Sequence, residues 1–303
     1  METKSPLTPL LTAIAPITWG STYFVTSEFL PPDRPIFAAA ARALPIGLVI
    51  VAARRRLPRG SWWWRSALLG TLNIGLFFAL LFLAAYRLPG GFASTLTALS
   101  PLAVMVIAFA FLRETPTRLA VGGALIGVVG IALLVVRADF VVDPIGVAAA
   151  VGAVVSSAFG FVLVKKWTPP TDLVTLTGWQ LVAGGLLLAP LTLVVEGAPP
   201  TLDGRALLGF AYLGILGTGL AYVLWFRGLT RMPAGSAALI GLVGPVVGTL
   251  LGVAFADETF GPAQLIGVCM VAVGILAGQP AVVNLYRRRR RVLDAPKETM
   301  TAS

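Results

Sequence analysis

Ten apolar runs divide the chain, at about residues 7–28, 35–53, 66–86, 92–112, 119–136, 144–164, 173–195, 206–226, 236–256 and 264–284. Most are close to 20 residues long, the length an α-helix needs to cross the ~30 Å hydrocarbon core of a bilayer. Within each run apolar side chains continue round every face, without strict two-residue alternation. This predicts helices rather than barrel strands, the two structures that leave no backbone group unpaired in lipid. Short breakers separate the runs: Pro31-Pro32, Leu88-Pro89-Gly90-Gly91, Pro169-Pro170 and Pro199-Pro200. From Leu285 the chain turns polar and basic, which reads as a tail that loses order after its first few residues.

The stretch from Arg87 to about Ile131 recurs from Arg231 to about Ile275, shifted by 144 positions with no gap. Shared pairs include Arg87/Arg231, Pro89/Pro233, Gly91/Gly235, Pro101/Pro245, Phe111/Phe255, Glu114/Glu258, Thr115/Thr259, Gly123/Gly267 and Gly130/Gly274. A duplicated apolar unit points to a transporter built from two halves. Five runs per half is an odd number, so the second half enters the membrane in the opposite sense. Arg113-Glu114-Thr115 and its partner Asp257-Glu258-Thr259 then lie on opposite faces, and the change from Arg113 to Asp257 fits that inversion.

Composition supports the lipid reading. Of 303 residues, 57% are hydrophobic and 12% charged, against roughly 25% charged in a soluble domain. The net charge of +10 sits in short clusters between apolar runs, which argues against nucleic acid as a partner. With the N-terminus in the cytoplasm, 18 Lys and Arg fall on the inner side and 4 on the outer, with Arg42 inside a run. Both termini are therefore placed inside, in a multi-pass protein of the bacterial cytoplasmic (inner) membrane. Lys4 ahead of the first run resembles a signal peptide, but that run outlasts an h-region and reads as a retained helix. Cys269, the only cysteine, lies in an apolar run and reads as packing; there is no histidine. No metal site or cofactor is expected.

Further motifs carry a resemblance. Trp19-Gly20-Ser21-Thr22 lies in the first run, Arg42 in the second and Trp179-Gln180 in the seventh. Each half has Tyr or Phe followed by a short Pro/Gly turn, a mid-helix Pro and a closing Glu-Thr. In this order, over about residues 8–280, the chain resembles the ten-helix EamA-type members of the drug/metabolite transporter (DMT) superfamily. Within it the chain is most similar to bacterial amino-acid exporters, including exporters of aromatic amino acids. The resemblance implies an all-α integral membrane fold, ten transmembrane helices as two inverted five-helix repeats around a central cavity. The repeats would be residues 7–136 and 144–284, with a basic cytoplasmic tail at 285–303. It also implies export or exchange of small metabolites.

Arg42 lies about eight residues into the second run, where an unpaired cation costs several kcal/mol. One reading is a cavity arginine facing a substrate carboxylate or backbone carbonyls; the other is a packing arginine paired with Glu28 or Asp33. Aligning Pro31-Pro32 with Pro169-Pro170 sets Gln180 opposite Arg42, so the two read as one polar layer or as an interhelical hydrogen bond. Trp19, Tyr23, Asn73, Tyr86, Trp179, Tyr212 and Tyr222 bring polar-tipped side chains suited to an amphipathic solute, and equally to packing. Thr97 and Ser100, with Ser94 and Thr95, put hydroxyls before Pro101; the stretch before Pro245 is nearly apolar. Pro101 and Pro245 are the hinge candidates, with a static kink as the alternative. Trp62, Trp63 and Trp64 read as an interfacial belt. Glycines crowd the fifth and ninth runs and read as close packing within a monomer.

These features favour a secondary transporter working by alternating access on amino acids or similar zwitterionic or neutral metabolites. The alternative within transport is a purine, a nucleotide-sugar, an aromatic compound or a drug. A cation would call for a buried carboxylate and a sugar phosphate for several buried Lys or Arg; neither is in the sequence. A membrane enzyme would need a nucleophile–base pair, a metal cluster or paired acids in the bilayer. A receptor or structural protein is the other class, but the loops are too short for an outer domain. No Asp, Glu or His lies near the centre of a run, so transport is expected to run without a proton relay.

Overall fold

The computed structural model describes residues 7–88, 90–135, 143–255 and 261–293, and all regular structure among them is helical. Lys4, Pro89, Arg137, Asp139, Asp257, Glu258, Thr259 and the tail from residue 294 lie outside the described residues. Among the described residues seven helices are long and apolar enough to cross a membrane: Pro35–Arg54, Trp62–Ala85, Ser94–Leu112, Pro144–Lys166, Leu173–Val195, Gly204–Arg231 and Ala234–Phe255. Leu7–Gly20 and Thr22–Phe29 join through Ser21, which keeps helical angles, and make the first span. Arg118–Val135 makes the fifth. The tenth, Pro262–Ala277, meets Pro280–Tyr286 at a 70° bend.

Span ends follow local chemistry. The Asp143 carboxylate accepts from the Ile145 and Gly146 amides at 2.7 and 3.1 Å, and Asp172 accepts from Val174 and Thr175 at 3.1 Å each. Such N-caps satisfy amides that a helix start leaves free. Pro35, Pro144 and Pro262 occupy first helical positions, where no amide is needed.

Three expectations change. The apolar run 264–284 is broken, because Gly278 and Gln279 end the helix and Pro280 begins another at an angle. That helix continues to Leu293, so the basic segment after Leu285 begins as helix. Cys269 is exposed on the outer surface of the bundle instead of packed. Trp62 is buried, whereas Trp63 and Trp64 are exposed as an interfacial belt requires.

The halves meet through two pairs of equivalent spans. In the fifth and tenth, Gly123 faces Gly274 and Gly130 faces Gly267, each backbone against the other. In the second and seventh, Gly47 faces Val182 and Gly185 faces Leu44. In both pairs one residue number rises as its partner falls, so equivalent helices run antiparallel, as inverted repeats require. The fourth and ninth spans break at matching places. Gly90–Thr97 gives way to Ser100–Leu112, and Ala234–Ile240 to Val243–Phe255. Pro101 and Pro245 thus stand in the first turn after a break rather than in a continuous helix, because neither ring permits the preceding turn to continue.

A side chain on Gly267 would bring its Cβ within 2.6 Å of the Gly130 carbonyl oxygen. Gly267→Leu is expected to cost about 1–3 kcal/mol by overpacking, read as a lower unfolding temperature in detergent. Gly122→Ala, with nothing within 4 Å, should leave that temperature unchanged; equal losses in both would reject glycine-mediated closure of the halves.

Candidate functional site

The third and eighth spans each widen into one π-helical turn at their centre, Thr71–Gly75 and Ile215–Leu220. The two begin 144 residues apart, the shift of the sequence repeat. A π turn breaks the regular ladder, and such turns gather at functional sites. Here their carbonyls take donors from other spans. Ser156 Oγ donates to the Leu72 oxygen at 2.9 Å and Tyr222 Oη to the Asn73 oxygen at 3.0 Å. The Gly217 oxygen accepts from Trp19 Nε1 at 3.0 Å and from Arg42 Nη2 at 2.8 Å.

Arg42 is 4% exposed, a charge enclosed in the middle of the bundle. Its Nε donates to Thr218 Oγ1 at 2.8 Å, and the Thr218 hydroxyl donates in turn to the Leu213 oxygen at 2.7 Å. The guanidinium carbon lies 5.4 Å from the centre of the Phe78 ring. Neither Glu28 nor Asp33 pairs with it: Glu28 bonds Arg205 at 3.2 Å. Among the described residues, no carboxylate forms an ion pair with Arg42.

The repeat partner of Arg42, Gln180, is equally enclosed, and its Oε1 accepts from Asn73 Nδ2 at 2.7 Å. Asn73 matches Gly217 under the 144-residue shift. Each half thus holds one such contact: the arginine bonds the bare backbone of one π turn, and the glutamine bonds the Asn73 side chain on the other. Asn73 Oδ1, Gln180 Nε2 and the indole nitrogen of Trp225 are buried with no hydrogen-bond partner among the described residues. Trp19 packs on Tyr222 and Trp225, and Trp225 on Phe161, with ring centres 5.2–5.5 Å apart.

The other expected residues sit elsewhere. Trp179 lies near one end of the bundle, its Nε1 donating to the Arg56 oxygen at 2.8 Å. Tyr212 shares a 2.8 Å hydrogen bond with Ser21. Thr97 and Ser100 flank the break in the fourth span, and Thr97 donates to its own helix at Ser94. The side chains of Tyr23 and Tyr86 fall outside the described set. A cleft of about 440 Å³ between the fourth and sixth spans is lined by apolar side chains, Leu96 to Ile107 and Val151 to Phe159. It holds no group that would orient a polar solute.

Sequence reasoning missed Thr218, Gly217, Ser156 and Trp225. The glycine run Gly214, Gly217 and Gly219 marks the π turn, and Gly70 and Gly75 recur at the matching places in the third span. Two capping acids outside the spans are held ionised. Burial pushes the Asp172 carboxyl up, but the Thr175 hydroxyl and amide and the Arg54 guanidinium outweigh this and bring it down to about 2. The Gly146 amide lowers the Asp143 carboxyl; burial opposes it, and the Ile145 amide and the Arg87 guanidinium add to the lowering. Neither would carry protons at neutral pH. Among the described residues no group of His, Cys, Asp and Glu could hold a metal ion.

Gly160 lies directly under Asn73, and a Cβ there would sit 2.6 Å from Asn73 Cγ. Gly160→Ala is expected to expel the amide, cost about 1–3 kcal/mol and lower the unfolding temperature. Asn73→Ala should make Gly160→Ala nearly neutral in a double-mutant cycle; additive losses would place the clash elsewhere.

Comparison with known proteins agrees with this architecture. The EamA-like transporter family model matches residues 7–136 and 144–277. Protein PecM of Dickeya dadantii is 40% identical over 92% of this chain and 93% of its own length. A WAT1-related chloroplast protein of Arabidopsis thaliana is 29% identical, over 85% of this chain and 66% of its own length. The uncharacterized inner membrane transporter YedA of Escherichia coli K12 is 28% identical, over 85% and 86%. A solved crystal structure superposes with a TM-score of 0.77 at 22% identity, over 93% of this chain and 98% of the other, which speaks for the fold alone. With both halves matched separately and the helical membrane bundle in place, the chain belongs to the EamA-like transporter family, and it is a transporter rather than an enzyme.

Proposed function

We propose that the protein exports or exchanges amino acids or similar small zwitterionic or neutral metabolites by alternating access across the bacterial inner membrane. The observation that carries this reading is the enclosed Arg42, whose partners among the described residues are all neutral. A guanidinium in the bilayer core without a counter-charge is costly, and a substrate carboxylate supplies one. Arg42 holds the carboxylate, Gln180 and Asn73 meet polar atoms with their spare valences, and Trp19 and Tyr222 face the apolar part. The halves 7–136 and 144–284 are the moving units, with Pro101 and Pro245 at their hinges. The protein works as a monomer with both termini and the tail 285–303 in the cytoplasm.

Counterflow of labelled amino acids in proteoliposomes tests this. Exchange of at least one amino acid is expected, and Arg42→Ala should reduce it about thirtyfold or more, corresponding to the 2–5 kcal/mol lost when a buried charge pair is broken. Gln180→Ala should weaken it less. Undiminished exchange in Arg42→Ala overturns the carboxylate reading.

The enclosed layer offers no Asp, Glu or His to carry a proton. Exchange is expected to persist with no pH gradient across the vesicle. Transport that starts only when a gradient is imposed would reject this part of the proposal.

A further inference from the structure

At the end of the bundle that carries Arg54–Arg56 and Lys165-Lys166, three segments from both halves are tied by one carboxylate and one amine. Glu114, just past the fourth span, lies 2.6 Å from Lys165 Nζ at the end of the sixth. Its other oxygen accepts from the Ala234 amide, which opens the ninth span, at 2.8 Å. Lys165 Nζ also donates to the Met232 carbonyl oxygen at 2.5 Å. The left-handed Arg113 (φ 57°) turns the chain so that Glu114 bonds back to the Ala108 oxygen and its side chain reaches across. Lys165 is 16% exposed and Glu114 29%, so water screens the pair incompletely.

Among the described residues the ion pairs of the opposite face are Arg87–Asp143 and Arg205–Glu28, both more exposed than Glu114–Lys165; Glu258, the repeat partner of Glu114, lies outside those residues. The shift that brings Arg34, at the start of the second span, onto Asp172, at the start of the seventh, sets Ser27 against Lys165. Ser27 is exposed, and its hydroxyl bonds the Phe24 oxygen of its own helix at 3.1 Å. A serine there cannot supply the amine that joins two spans and a carbonyl on the arginine-rich face.

We propose that Glu114 and Lys165 form the gate that seals the arginine-rich face, and that the empty transporter rests with this face closed because the opposite face has a serine in place of the lysine. Lys165 acts as a positioning residue, drawing the sixth span onto the corner between the eighth and ninth. The inference concerns the resting state and does not depend on which solute is carried.

Spin-label distances test it on the full chain in nanodiscs, without substrate, in a Cys269→Ala background. One label pair, Thr115→Cys with Arg231→Cys, reads the arginine-rich face; the other, Ala85→Cys with Ala263→Cys, reads the opposite face. The unaltered gate should give one short distance in the first pair. Lys165→Met should add a longer population there and shift the second pair to shorter distances, and Lys165→Arg should restore the original pattern. Glu114→Gln, which keeps an acceptor for the Ala234 amide, should act like Lys165→Met. An unchanged first pair overturns the proposal. So does lengthening in the first pair without shortening in the second, because that is local fraying rather than alternation of the two faces. Failure of every amino acid in counterflow would leave these distances untouched, so the two proposals fail separately.

Discussion

A backbone carbonyl freed in the middle of a membrane has no water to turn to, and the centre of this protein is organised by that constraint. The π turns at Thr71–Gly75 and Ile215–Leu220 disturb the ladders of two long spans. Donors arrive from four other directions: Trp19, Arg42 and Ser156 from the first, second and sixth spans, and Tyr222 crossing from the eighth to the third. Each of these hydrogen bonds joins helices that lipid alone would not hold together. An unmet polar group in such surroundings costs several kcal/mol, so the donors are fixed by necessity as much as by attraction.

The same constraint explains how an arginine survives there. Arg42 is useful to the fold because Gly217 exposes an oxygen and Thr218 turns a hydroxyl to meet it. The absence of a side chain at Gly217 matters directly, since a Cβ would stand 3.3 Å from Arg42 Nη2 and crowd it. On the other half the same place in the repeat holds Asn73, which extends across to Gln180. One half thus uses a charged side chain on a bare backbone, and the other pairs two amides. The duplication supplied the scaffold twice and the chemistry once.

The fold was legible because its signals are repetitive. Run length gave the spans, the 144-residue shift gave the halves, and glycines at Gly123, Gly130, Gly267 and Gly274 foretold close packing that the structure places between helices of one chain. The bend at Gly278 was not, because hydropathy does not register a change of direction. The site was legible in part. Arg42 and Gln180 stand out as polar residues in apolar runs, and both are buried. Their partners were hidden, because a carbonyl oxygen has no letter in a sequence. Trp179 misled for a related reason: its neighbour Gln180 points to the centre, while its own indole reaches the Arg56 carbonyl near the end of the bundle.

Many polar side chains of the bundle bond from one span to another, whereas the Asn73–Gln180 pair leaves one donor and one acceptor over whichever way the two amides are turned. Two primary amides facing each other satisfy one donor and one acceptor, and each retains the opposite valence. Under the proposed transport role, a solute meeting this pair would find a donor and an acceptor already desolvated. Water removed in advance raises the strength of each contact, and it penalises a solute that cannot make them. Selectivity in such a site follows from leaving polar groups unpaired at a place where water cannot repair the loss.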